Sequence, residues 1–120
     1  MIQGNDFKLI IPIIRRSGDL RELVITKSVL KDLKGKEYTI TITESSGNYS
    51  ADISGDLLPA GKYSLEIAGK LRIESSGVLT ESKCRRFLSE ALVISVEGDG
   101  DLEYDETTGV PVEKTRGITL

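Results

Sequence analysis

The sequence predicts an all-β protein built as an antiparallel β-sandwich of about seven strands. Residues 37–73 carry three alternations of apolar and polar side chains separated by glycine-bearing turns, which is the pattern of half-buried antiparallel strands. Residues 91–96 form a nearly continuous apolar run, which predicts a central strand covered on both faces. The 120 residues are one domain in length, so these strands are expected to share one core.

The first predicted strand covers residues 7–15, which are rich in β-formers and mostly apolar. Pro12 lies inside this segment and has no N–H to donate to a ladder. We therefore expect the strand to lie at a sheet edge or to carry a bulge. Residues 17–19, Ser-Gly-Asp, predict the turn that follows it.

The next segment predicts a strand followed by a short helical turn near residue 30. Residues 23–26 favour a strand because Val24, Ile25 and Thr26 are β-branched. Residues 28–34 predict the helical turn, with a serine in the N-cap position at its start and a glycine directly after its end. The sequence thus predicts one local exception to an all-β fold.

The middle of the chain contains the clearest strand signals. Residues 38–43 alternate strictly, residues 45–48 predict a hairpin turn, and residues 49–54 return as the second strand. Residues 56–61 predict a tight connection, since they contain a proline and end in a glycine. Residues 63–67 then alternate again, which predicts a further strand with one buried face.

Two features separate that strand from the apolar run near the C-terminus. Gly69 predicts a bulge or kink. Residues 78–86 are polar, and we expect a loop or an irregular edge there. The predicted core consists of Phe7, Leu9, Ile11, Ile13, Val24, Ile40, Ile42, Ile53, Tyr63, Leu65, Ile67, Leu92 and Ile94.

The character of the chain changes near residue 97. Residues 97–106 contain six acidic residues and no basic residue, and the remainder shows little periodicity. We therefore expect residues 1–97 to form the β-sandwich domain. Residues 98–120 are expected to form an acidic C-terminal tail that is mobile or ordered only against a partner.

The composition argues against several classes of function. The chain has no histidine, which removes the commonest general base and the commonest metal ligand. Cys84 is the only cysteine, so an intrachain disulfide or a CxxC redox site cannot form. The net charge of −3 disfavours binding to nucleic acid. We expect a non-enzymatic protein without a cofactor, and with neither a membrane partner nor a small-molecule ligand.

Two motif-like segments do not support binding sites. Residues 55–63 have five residues between the outer glycines, where a phosphate loop has four, and a tyrosine where such a loop needs serine or threonine. Residues 99–105 place acids alternately, but Tyr104 occupies the glycine position of an EF-hand loop and Val110 the position of its bidentate glutamate. A weakly held Ca²⁺ ion on the acidic tail remains the alternative to a solvated tail.

The candidate interaction residues are two basic groups, the proline of the first strand and the acids of the tail. Each basic group is interpreted first as a solvated loop or strand end. The alternative is that the basic groups receive the acidic tail of a neighbouring subunit, since opposite charges favour encounter. The residues are Pro12, Arg15, Arg16, Lys83, Arg85, Arg86, Asp99, Asp101, Glu103 and Asp105.

Residues 4–7, Gly-Asn-Asp-Phe, and residues 58–67, LPAGKYSLEI, carry a resemblance. The chain resembles small immunoglobulin-like β-sandwich domains of tailed-phage and prophage structural proteins, among them the N-terminal domains of baseplate upper proteins and tail-fibre adaptors. The match covers about residues 4–75. It implies an immunoglobulin-like fold, a place in a virion, no catalytic residues, and a role in docking one protein component to another, often as an oligomer.

Three functions follow in order. The leading hypothesis is a non-enzymatic assembly module that binds a protein or further copies of itself through strand edges and the C-terminal tail. The second is a cell-surface carbohydrate-binding or adhesion module that uses Tyr49 and Tyr104 as platforms. The third is a small enzyme. Because residues 9–14 are too short and too interrupted for a signal peptide, we expect the chain to be cytoplasmic at synthesis or part of a virion.

Overall fold

The computed structural model describes residues 1–96 and 103–120. These residues form eleven strands and no helix, so the all-β prediction is confirmed. The strands are β1 (Phe7–Ile10), β2 (Ile13–Ile14), β3 (Glu22–Lys31), β4 (Glu37–Thr39), β5 (Thr43–Ser45), β6 (Asn48–Ile53), β7 (Gly61–Ser75), β8 (Val78–Ile94), β9 (Glu103–Tyr104), β10 (Pro111–Lys114) and β11 (Ile118–Thr119).

The strands form three sheets. One has five strands in the order β5-β6-β1-β10-β9, one has four in the order β4-β3-β7-β8, and β2 pairs with β11 in the third. Within the described residues the pairings are antiparallel except β1 with β10 and β2 with β11, which are parallel. The antiparallel character predicted from alternation is therefore present, while the first strand and the C-terminal strands run in the same direction.

One hydrophobic cluster unites the sheets. It has members from both large sheets and from β11, and its most completely buried side chains include Leu9, Leu30 and Leu65. Ten of the thirteen predicted core residues are buried. Ile13 and Ile42 pack partly buried against the cluster, whereas Val24 lies outside it and its neighbour Leu23 faces the core.

The predicted helical turn at residues 28–34 is wrong, because β3 continues through Lys31 and no helix forms there. The Ser28 hydroxyl does not cap a helix but donates a hydrogen bond of 2.7 Å to the carbonyl of Ile40. Leu30 pairs with Leu65 of β7 and is completely buried. Pairing with β7 and burial in the core thus outweigh a local helix signal of fewer than ten residues.

The bulge predicted at Gly69 of β7 lies in the facing strand, β3. The register between β3 and β7 skips one residue of β3, between Ile25 and Lys27, opposite Gly69. The extra residue reverses the alternation, so Leu23 faces the core before the skip and Leu30 faces it afterwards. Leu23 therefore takes the core position in this part of β3, and Val24, which we expected in the core, is only partly buried.

The predicted strand at residues 38–43 is two strands in two sheets. β4 pairs with β3, whereas β5 pairs with β6 in the other large sheet, and residues 40–42 connect them. Ile40 is buried in this crossing, and its N–H donates to the Ser28 carbonyl at 3.0 Å. The alternating pattern of residues 38–43 therefore spans two strands that pair with different partners.

Residues 78–86, for which we expected a loop or an irregular edge, are part of the regular strand β8. Ser76 and Gly77 form a two-residue turn in which both residues have positive φ, 52° and 78°, as a type I′ hairpin requires. β8 is also an edge strand and not a central one. Its apolar run is accordingly covered on one face only, with Leu92 buried and Val93 43% exposed.

Pro12 does not lie on a sheet edge. β1 is the middle strand of the five-stranded sheet, and Pro12 falls in the break between β1 and β2. Its carbonyl accepts a hydrogen bond of 2.8 Å from the Ile118 N–H. Gly117 passes so close that a Cβ there would lie 2.9 Å from the same oxygen. Pro12, which has no N–H, therefore lies where the ladder of β1 ends and that of β2 begins.

Residues 103–120 do not form the tail that we expected. β10 inserts between β1 and β9, and β11 pairs with β2. Ile118 belongs to the hydrophobic core and is 3% exposed. Strands β9, β10 and β11 are too short to show a clear alternating pattern. The sequence therefore predicted a tail, whereas these residues complete the five-stranded and the two-stranded sheet. Residues 98–102 of the expected tail lie outside the described residues.

Candidate interaction surface

The β7–β8 hairpin is the longest element of the molecule. Its strands have 15 and 17 residues, which corresponds to about 50 Å at roughly 3.3 Å per residue, close to the longest molecular extent of 54 Å. β3 accompanies β7 only as far as the pair Glu22–Arg72. Beyond it the hairpin continues as two strands, and residues 73–83 are all exposed.

The end of this hairpin carries apolar side chains in solvent. Ile73, Val78 and Leu79 are 36%, 64% and 54% exposed, and the nearby Leu20 is 81% exposed. Leu20, Ile73 and Leu79 line one open groove together with charged residues. Ile73 and Val78 lie on one face of the hairpin and Leu79 on the other, so its end exposes apolar side chains on both faces. Exposed apolar patches mark interaction sites.

The outer face of the four-stranded sheet is covered by ion pairs. Glu66 accepts a hydrogen bond of 2.9 Å from the Arg85 guanidinium and lies 3.5 Å from the Lys31 ammonium. The hydrogen bond from Arg85 holds the pKa of Glu66 below its usual range. The Glu66 side chain is only 11% exposed and that of Arg85 is 74% exposed, so the carboxylate is shielded but its partner is open to solvent.

Glu66→Gln is expected to weaken the acid sensitivity of the fold. Because the pKa of Glu66 is lower in the folded than in the unfolded chain, its stabilisation is present above the unfolded pKa and is lost as pH falls through the folded pKa. Melting temperatures measured between about pH 7 and about pH 3 should therefore fall less for Glu66→Gln than for the wild type.

The matched control for this pH series is Glu74→Gln. Glu74 lies on the same strand and the same face as Glu66, and in the described part of the chain it makes no ion pair. Its pH profile should follow that of the wild type. Identical slopes for all three proteins would show that the Arg85–Glu66 contact does not contribute to acid sensitivity.

The predicted basic residues do not form one cluster. The Arg15 guanidinium donates to the carbonyl of Arg21, whereas Arg16 only forms part of the turn that follows β2. Arg85 is engaged with Glu66, and Arg86 donates to the Thr119 carbonyl at 3.2 Å. These contacts hold the chain's own elements together.

Lys83 differs from Arg15, Arg85 and Arg86, whose side chains contact other groups of the chain. It is exposed on the outer face of β8 and, among residues 1–96 and 103–120, makes no ion pair. It lies opposite Lys70, whose ammonium is 3.5 Å from Glu81. Lys83 therefore remains available to an anionic side chain from another molecule.

Asp105 is the predicted acidic residue that serves a turn within the chain. The Asp105 carboxylate accepts hydrogen bonds from the N–H groups of Thr107 and Thr108, at 2.8 and 3.2 Å, and lies 3.4 Å from the Lys8 ammonium. The two backbone donors lower the pKa of Asp105. Glu103 is exposed on β9. Asp99 and Asp101 lie outside the described residues, so their pairing with a neighbouring subunit stays a prediction.

The tyrosines are distributed unevenly between core and surface. Tyr49 is 8% exposed and its hydroxyl donates to the Leu23 carbonyl at 3.4 Å, while Tyr104 is 57% exposed. Tyr63 is buried, with the ring of Tyr38 edge-on at a centroid distance of 5.9 Å. Of the two predicted sugar platforms, one is therefore a core residue.

Sequence reasoning missed the hairpin because residues 78–86 lack an apolar face. A usable signal was nevertheless present, since Ser76-Gly77 repeats the Ser46-Gly47 dipeptide whose hairpin was predicted. Both dipeptides place two positive φ values at the centre of a two-residue loop. The same turn chemistry in both places indicates the same structure, even where one strand is exposed on both faces.

Residues 1–96 and 103–120 contain no group of three or more metal-ligating side chains placed to hold an ion. No helix that could cross a membrane occurs in this part of the chain. In comparisons with protein-family models, curated proteins and solved structures, no match to the chain was found. The hairpin surface is thus the strongest candidate site in the described structure.

Proposed function

We propose that this protein is a non-enzymatic structural module that docks one protein component of a phage or prophage tail or baseplate to another. The observation that carries the proposal is the exposed apolar end of the β7–β8 hairpin. Ile73, Val78 and Leu79 stand there in solvent, and covering such side chains with a partner is favourable in proportion to the apolar area removed from water.

The immunoglobulin-like fold belongs to the same proposal. Two large, mainly antiparallel sheets share one core, as in a β-sandwich. The resemblance noted at residues 58–67 falls on β7 and the turn before it, which is the strand that projects the hairpin. In an assembly module of this kind, one part of the strand would contribute to the core and its projecting part would support the docking surface.

The commonest catalytic base is missing from the chain, and two other candidate side chains are buried or paired. The sequence has no histidine, and the single thiol, Cys84, is 3% exposed. Glu66, the most buried carboxylate of the outer face, is engaged by Arg85 and Lys31. These observations support a binding role over an enzymatic one.

The test introduces charge at the hairpin end. Ile73 and Val78 lie on the same face of the hairpin, since Ser75 pairs with Val78 and Ile73 with Thr80. Phage particles are produced from the genome that encodes this chain and are then purified. Mass spectrometry should find the wild-type protein in them. The double variant Ile73→Glu/Val78→Glu should be depleted at least about tenfold, because it would bury unpaired carboxylates.

The control variant is Ile73→Val/Val78→Ile, which keeps the apolar surface and should be incorporated like the wild type. Both variants should melt within a few degrees of the wild type, since the residues that they change contribute little to the core. Absence of the wild-type chain from particles, or normal incorporation of the glutamate variant, would contradict the proposal.

A further inference from the structure

Among residues 1–96 and 103–120, no strand pairs with the edge of β8 that faces away from β7. Ser75 and Val78 flank a two-residue turn and therefore form a hydrogen-bonded pair. Since hydrogen-bonded and non-hydrogen-bonded positions alternate, the N–H and C=O groups of Leu79, Glu81 and Lys83 point away from β7. Their side chains all lie on the outer face of the sheet, because they pair with the even-numbered residues of β7.

This open edge has two ends. One is the hairpin turn before Leu79. At the other, the Arg86 guanidinium donates to the Arg85 carbonyl at 3.0 Å and to the Thr119 carbonyl at 3.2 Å, so β11 lies beside the strand from there on. The described residues provide no backbone partner for the edge between these ends. The edge without a backbone partner therefore covers residues 79–85, where the Arg85 carbonyl accepts only from the Arg86 side chain, and its centre is Ser82.

We propose that a second copy of this chain pairs with this edge, β8 against β8 in antiparallel orientation, about a two-fold axis through Ser82. Glu81 of each copy then faces Lys83 of the other, and Leu79 faces Arg85 of the other. The residues that meet are those whose backbone groups point outwards in both copies, as an antiparallel ladder requires. The two four-stranded sheets become one sheet of eight strands.

The charges favour this register over its neighbours. Centring the pair on Glu81 would oppose two glutamates, and centring it on Lys83 would oppose two lysines. Centring it on Lys83 would still place Glu81 opposite Arg85, but only the register centred on Ser82 opposes unlike charges without also placing two like charges face to face. Lys83, which makes no ion pair in the described part of the chain, gains one.

The exposed apolar side chains fit the same register. Leu79 is 54% exposed and Phe87 62%, both on the outer face of β8. With Ser82 on the axis, Leu79 of one copy lies diagonally opposite Phe87 of the other, a spacing that aromatic side chains can bridge. A second copy thus pairs the outward backbone groups of β8 and the Lys83 ammonium, and it also covers Leu79 and Phe87. A peptide strand from another protein would pair the backbone groups only, so we favour a second copy.

The first experiment is a cross-link at the axis. Ser82 pairs with itself at a non-hydrogen-bonded position, where Cα atoms are about 4.5 Å apart, within disulfide range. Ser82→Cys in the full chain is expected to form a disulfide-linked dimer under mild oxidation. Ser75→Cys, exposed at the tip and far from its symmetry mate, is the control, and both retain the buried Cys84. Equal cross-linking of the two variants would overturn the proposal.

The second experiment removes one intermolecular donor. Lys83→Pro deletes an N–H that points away from β7, so the hairpin ladder is kept, whereas Lys83→Ala retains the N–H. In sedimentation equilibrium the dissociation constant should rise at least about tenfold more for Lys83→Pro than for Lys83→Ala. Melting temperatures confirm that both variants fold.

The third experiment tests the charges. Lys83→Glu should weaken association, and Glu81→Lys/Lys83→Glu should restore it, since opposite charges face each other again. A wild-type chain that stays monomeric at about 100 µM would overturn the proposal, as would failure of the charge swap to restore association. None of these measurements uses phage particles, so the result is independent of the assembly role proposed above.

Discussion

Deletion of residues 111–120 is expected to prevent the domain from folding. The deletion removes β10 from the five-stranded sheet and β11 from its pairing with β2. It also removes the hydrogen bonds from Thr115 to the Ile10 carbonyl and from Leu120 to the Ile14 carbonyl, at 2.9 and 3.0 Å. Each such bond contributes about 1 kcal/mol, and the buried Ile118 contributes more.

The total loss is comparable with the whole stability of a domain, which is about 5–15 kcal/mol. Circular dichroism melting of the deleted chain should show no cooperative transition, and its amide NMR spectrum should lack dispersion. A cooperative transition near that of the wild type would contradict the role assigned to these strands.

Two point variants resolve this effect further. Ile118→Ala should lower the free energy of unfolding by about 2–5 kcal/mol, because its side chain is 3% exposed within the core. Thr119→Ala, the next residue of the same strand and exposed, should change it by less than about 0.5 kcal/mol. Denaturant titration measures both, and similar values for the two would contradict burial of this strand.

Gly69→Ala is expected to destabilise the fold by about 3 kcal/mol, at the upper end of overpacking effects. A Cβ at residue 69 would lie 1.9 Å from the carbonyl oxygen of Val24. That oxygen belongs to the backbone of β3, so relief requires the strand to move and not merely a side chain. The displaced segment is the one that carries the bulge and Leu23 of the core.

Chemical denaturation of Gly69→Ala and Lys70→Ala tests this expectation. Lys70 is the next residue of β7 and is exposed on the outer face, so its truncation should cost less than about 1 kcal/mol even though its ion pair with Glu81 is lost. Equal stability of Gly69→Ala and the wild type would show that β3 and β7 are further apart at this point than the structure places them.

The sequence by itself determined the strands whose pattern depends only on neighbouring residues. Leu9 and Ile11, and likewise Leu65 and Ile67, were assigned to the core by alternation and are buried there. The turn at residues 46–47 was predicted from its composition and has the two positive φ values of a two-residue hairpin loop. These features follow from the period of a strand and from glycine chemistry, which do not depend on the rest of the chain.

The tertiary structure decided everything that depends on which strands become neighbours. Ser28 and its flanking residues are strand and not helix because β4 and β7 pair on either side of them. Residues 111–119 complete two sheets because β1 and β2, about a hundred positions earlier, offer free ladders. The same holds for the interaction surface, since Glu66, Arg85 and Thr119 meet across sequence separations that no local pattern encodes. Sheet order alone leaves β8 on an edge, and it is this edge position that exposes Lys83 and its backbone to another molecule.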